Sequence, residues 1–90
     1  MDEAARYCSL GGEDLAVRRT EWRALSESAL VETRERPDGY TALYRGDEQT
    51  ARALDALVAA ERVCCPDIDW RVAWEAGLVR LDVTYPPADQ

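Results

Sequence analysis

The apolar period switches between helical and strand spacing along the chain. Leu15, Trp22, Leu25 and Ala29 recur at helical intervals behind Gly11-Gly12-Glu13-Asp14, whose acidic residues suit the first turn of a helix dipole. This predicts a helix to roughly residue 29. Two strand-like runs follow, residues 31–36 and 40–45, separated by Pro37-Asp38-Gly39. Proline presets φ and glycine accepts φ > 0, so the pair of runs reads as a hairpin. Gly46-Asp47 caps a second helix over about 48–65, which Pro66 stops. Ile68, Trp70, Val72 and Trp74 then alternate with other residues, Glu75-Ala76-Gly77 turns the chain, and Val79, Leu81, Val83 and Tyr85 alternate again before Pro86-Pro87.

The predicted order is helix, hairpin, helix, hairpin, behind a short extended segment that carries Cys8. Two amphipathic helices and two half-buried hairpins are best satisfied by an α+β two-layer sandwich. Both helices would cover one face of a four-stranded antiparallel sheet, in α-β-β-α-β-β order. At 90 residues the chain makes a single domain, residues 1–90. A chain of this size buries only roughly 60% of the surface that its unfolded form exposes, so its core is thin.

Composition narrows the chemistry. All 11 basic residues are arginine; lysine, histidine and phenylalanine are absent. Without histidine there are no Ser-His-Asp or Cys-His triads and no Cys₂His₂ metal sites; without lysine there is no Schiff base and no Walker lysine. A net charge of −7 argues against a nucleic-acid partner, since phosphate backbones are held by clustered cations. No run approaches the ~18 consecutive apolar residues of a membrane span, and the charged start Met1-Asp2-Glu3 has no apolar region behind it. These features read as a cytoplasmic chain with no membrane partner. Three cysteines there make a poor disulfide framework. Adjacent Cα atoms stand about 3.8 Å apart, below the ~4.4 Å of a relaxed disulfide, which argues against a structural Cys64–Cys65 bond. A link from Cys8 to one of the pair remains open.

The chemistry that is left gathers on the second helix. At about 100° per residue from Leu54, Leu57 falls near 300°, Val58 near 40°, Cys64 near 280° and Cys65 near 20°. Glu61 falls near 340°, in the middle of that apolar stripe, where a carboxylate needs a partner or a purpose. On the first helix, Arg18 lies within the stripe of Leu15, Trp22 and Leu25. An Arg18–Glu61 ion pair would satisfy both charges; alternatively Arg18 snorkels to solvent and Glu61 lies at the helix edge. Buried cysteine is commonly a small hydrophobe. A cysteine pair beside a stripe-centred glutamate is a stronger signal than either thiol alone.

Position selects among thiol functions. A helix C-terminus stabilises cations, and Glu61 opposes thiolate formation, so the pair is badly placed for a catalytic nucleophile. A metal ion supplies the missing positive charge and deprotonates the thiols. Cys8, Cys64 and Cys65, with Glu61 or water as a further ligand, suit a thiophilic ion: zinc, copper(I), mercury(II) or arsenite. Cys-Cys-Pro lacks the C-x₂-C spacing of structural zinc sites.

The segments Cys8-Ser9-Leu10, Arg19–Leu25 and Leu54–Pro66 resemble a family of small, mostly uncharacterised bacterial proteins. These carry an early cysteine and a later E-x-x-C-C run followed by alternating aromatics. The resemblance spans nearly the whole chain, and the E-x-x-C-C run is its only specific motif. It implies an association with heavy-metal resistance and matches Cys8, Glu61, Cys64 and Cys65. The chain departs from the family at Asp67, where an aromatic usually follows Cys-Cys-Pro. The expectation is a metal-ion carrier, buffer or resistance accessory. Two competitors stay open. One is a thiol redox or transfer enzyme in which Cys8 resolves an oxidised pair. The other is an interaction module with structural cysteines, in which Tyr40, Tyr44, Trp70 and Trp74 line an open sheet face toward a second copy or a basic protein partner.

Overall fold

The computed structural model describes residues 12–87, with only the backbone described for residues 12–15. The extended segment expected around Cys8, and the Leu15 side chain, lie outside the described residues. The elements are α1 (Gly12–Ala29), β1 (Leu30–Arg36), β2 (Gly39–Tyr44), α2 (Glu48–Cys64), β3 (Asp69–Glu75) and β4 (Leu78–Thr84). The order is the predicted α-β-β-α-β-β, with boundaries displaced by a residue or so, as helix and strand ends commonly are. The fold class is α+β.

The four strands form one antiparallel sheet in the order β1-β2-β4-β3. Register explains the layering. Tyr40, Ala42 and Tyr44 of β2 stand beside Val83, Leu81 and Val79 of β4, which in turn stand beside Trp70, Val72 and Trp74 of β3. Side chains alternate along a strand, so all nine share one face. Most of them join Leu25 and Ala29 of α1 and Leu54, Leu57 and Val58 of α2 in a single core. Both helices therefore cover the same side of the sheet. Leu54, Val79, Leu81 and Val83 are fully buried, each such side chain favouring the fold by about 1.5–3 kcal/mol.

This arrangement corrects two expectations. Tyr40, Tyr44, Trp70 and Trp74 do not line an open face; they lie on the helix-covered side. Tyr44 and Trp70 are buried, and only Trp74, near the end of edge strand β3, remains largely exposed. Gly39 is needed for a different reason than the turn implied. It is not among the positive-φ residues, but a Cβ there would collide with the Val83 carbonyl of β4. Positive φ occurs instead in the second hairpin, at Ala76 and Gly77, the pattern of a type I′ two-residue turn.

Helix α2 is fastened at both ends. Asp47 caps its start by accepting from the Thr50 N–H at 2.7 Å. Beside it, Gly46 packs so closely on Gly77 that a side chain there would strike the Gly77 carbonyl. At the far end, Arg62 donates to the Trp70 carbonyl at 2.7 Å, and the Ile68 N–H donates to the Cys65 carbonyl at 3.2 Å. The helix stops at Cys64, one residue earlier than expected. Cys65 precedes proline and has left helical geometry, with φ −129° and ψ 64°.

Candidate metal centre

Glu61 and Cys64 are three residues apart on α2, and Cys65 is the next residue, so the helix itself stacks the three on one face. All are buried, Glu61 to 6% exposure and Cys65 completely. Their ligand atoms lie within 4.8 Å of one another. The two oxygens of Glu61 do different things. Oε1 accepts from the Cys64 thiol at 3.7 Å and from the Cys65 thiol at 3.5 Å. Oε2 accepts from the Trp22 indole N–H at 2.7 Å and faces the Arg18 guanidinium at 3.4 Å.

The ion pair between the helices is thus present, and Arg18 reaches further. It also donates to the Cys64 sulfur at 3.8 Å. Burial opposes the guanidinium charge, but Glu61 and Cys64 together outweigh that cost and hold the Arg18 pKa above its ordinary value. A buried carboxylate is expensive unless paired and hydrogen-bonded. Here one oxygen is satisfied from α1, which leaves the other turned to the thiols.

The sulfurs of Cys64 and Cys65 are 3.8 Å apart, too far for a bond between them. Two thiolates on one tetrahedral ion with metal–sulfur bonds of about 2.3 Å stand about 3.8 Å apart. The pair is spaced to share an ion as it stands. Leaving the helix at Cys65 contributes to this, because Pro66 sets the Cys65 backbone independently of the α2 spiral. Glu61 Oε1 stands 3.7 and 3.5 Å from the two sulfurs, so this Glu-Cys-Cys cluster is able to hold a metal. Cys8, the expected third sulfur ligand, lies outside the described residues.

Trp22 is the participant that sequence reasoning missed. Its position in the α1 stripe was legible, but a wheel gives an angle and not the rotamer that aims the indole N–H. Trp22 also stacks on Trp70 of β3, with ring centroids 6.1 Å apart and planes inclined by 19°. It therefore ties the site to the sheet. The buried Trp70 indole N–H, by contrast, has no hydrogen-bond partner among the described residues, an omission that typically costs about 1–3 kcal/mol.

No protein-family model matches the chain, and no curated protein sequence matches it.

Proposed function

We propose that the protein binds a thiophilic metal ion through Cys64 and Cys65, with Glu61 as oxygen ligand, and serves as a carrier, buffer or accessory of metal handling. The observation that carries this reading is the buried cluster of two thiols and a carboxylate with its sulfurs 3.8 Å apart. Cys8 would supply a third thiolate. The resemblance of the E-x-x-C-C run to proteins associated with heavy-metal resistance accords with it.

Charge arithmetic narrows the ion. With both thiols protonated, Glu61 and Arg18 cancel. Replacing the two thiol protons by a divalent ion leaves the same net charge, so loading imposes no uncompensated charge on a buried site. A monovalent ion on the same pair leaves one negative charge in excess. Divalent zinc or mercury fits this two-thiol pair better than copper(I). Ligation by Cys8 would shift the balance toward a trivalent centre such as arsenic(III).

The test is calorimetric titration of the reduced protein with Zn²⁺, Hg²⁺, Cu(I) and arsenite in turn. One equivalent should bind below micromolar concentration. Cys64→Ser/Cys65→Ser should weaken that binding by more than about 100-fold, beyond the 10- to 100-fold usual for losing a supporting residue. Equal binding by this double variant, or no binding by the wild type, defeats the reading.

One observation favours a second reading. The Arg18 contact to Cys64 is the kind of cationic neighbour that activates a thiol nucleophile. Alkylation rate against pH separates the two. Half-maximal reactivity of Cys64 well below the unperturbed ~8.5, lost in Arg18→Gln, would support a thiol redox or transfer role.

A further inference from the structure

A cavity of about 450 Å³ opens between α1 and the sheet, within the ~300–1,000 Å³ of small-molecule sites. Its walls are aromatic: Trp22 of α1, Tyr40 and Tyr44 of β2, and Trp70 of β3. Glu61 also lines it, with its charge already met by Arg18. Arg19 and Arg23 of α1 line it as well, and Arg23 brings positive charge to it in a chain whose net charge is −7. Arg23 is exposed and has no ion-pair partner among the described residues.

We propose that this cavity binds a small planar aromatic molecule bearing an acidic group, its rings against the tryptophan and tyrosine walls and its anion toward Arg23. Aromatic walls select flat apolar bodies, and a guanidinium at the mouth selects an oxyanion. A quaternary ammonium would also suit aromatic walls, but the positive charge of Arg23 disfavours it. The cysteines are not part of its lining, but Glu61 belongs to both the cavity and the metal cluster, so the probes are titrated into metal-free protein.

Two probes with one apolar body separate the contributions: 1-anilinonaphthalene-8-sulfonate and the neutral N-phenyl-1-naphthylamine. Titrations are followed by probe fluorescence and by tryptophan quenching, in a Trp74→Phe background that leaves Trp22 and Trp70 as reporters. The sulfonate should bind with one-to-one stoichiometry, about two- to fivefold more tightly than the neutral probe, as a solvent-exposed ion pair provides, and should raise the melting temperature. Arg23→Gln should erase the preference between the probes. Thr33→Trp, on exposed strand β1 at the cavity wall, should weaken both probes without lowering the melting temperature. Cys64→Ser/Cys65→Ser should leave both affinities unchanged. Equal affinity for the two probes, persistence of the preference in Arg23→Gln, or a melting temperature lowered by the dye would each overturn the proposal.

Discussion

The two faces of the sheet use the same charged groups under opposite conditions. On the side away from the helices, Arg71 meets Asp69 at 2.8 Å, Arg34 meets Glu32 at 2.6 Å, and Arg80 bridges Glu75 and Asp82. Most of these side chains are substantially exposed, and solvent screens them. On the helix side, Arg18 and Glu61 are 3.4 Å apart, with side-chain exposures of only 18% and 8%. The outer pairs have shorter contacts, yet the inner pair carries more energetic weight because water cannot replace a lost partner. Distance alone is therefore a poor guide to which ion pair matters. The inner pair holds a carboxylate against two thiols.

Deleting one partner on each side tests this contrast most severely. Arg18→Ala leaves the Glu61 carboxylate with only neutral donors, the Trp22 N–H and the two thiols, and should cost about 2–3 kcal/mol, somewhat less than the full penalty for breaking a wholly buried pair because Arg18 is partly exposed. Urea unfolding followed by tryptophan fluorescence reads this directly. Glu61→Gln keeps an acceptor for Trp22 and removes the charge, so it should cost about 1–2 kcal/mol. It should also weaken metal binding by about tenfold or more. Combining it with Arg18→Ala should be strongly non-additive, with a coupling of at least about 1 kcal/mol; additive losses would place the inner pair on the same footing as the outer ones.

Acid should act more weakly, and from the other end of α2. Asp47 is held at about 2, below its ordinary 3.8, chiefly by the Thr50 N–H and then by Arg45. The folded state thus binds this proton less readily than the unfolded chain. The resulting stability is complete above about pH 4 and disappears as the pH falls toward 2. Asp47→Asn retains a capping oxygen and should flatten that limb of the stability–pH curve. Smallest of all, Arg71→Ala should move the melting temperature by less than about 3 °C and show no measurable coupling to Asp69→Ala.

Much of this was legible in the pattern of the chain, for specific reasons. Helical and strand periods differ enough to separate all six elements, and Pro37, Gly39, Pro66 and Gly77 punctuate them. A glutamate inside an apolar stripe is a local contradiction, and it led to both the thiols and Arg18. What stayed hidden depends on three-dimensional assignment. Alternation placed Tyr40, Tyr44, Trp70 and Trp74 together but could not say which face the helices cover. In β2 even that signal fades, because Thr41, Ala42, Leu43 and Tyr44 are all buried. Leu43 lies on the outer face yet is covered, flanked across the strands by Glu32 and Arg80. The Trp22 bond to Glu61 required a rotamer, and the aromatic cavity required the separation of α1 from the sheet. Neither is encoded as spacing.

The double fastening of α2 has a kinetic consequence. The thiol pair stands where the helix ends, on an element pinned to the β3–β4 turn at its start through Gly46 and tied to β3 at its end through Arg62. Backbone displacement at the pair requires releasing one of these fastenings, so departure of an ion that needs such displacement would be gated by local opening of α2. Residence time, more than affinity, would then distinguish this site from an open pair of surface thiols. Gly46→Ala, which forces α2 off Gly77, should shorten that time.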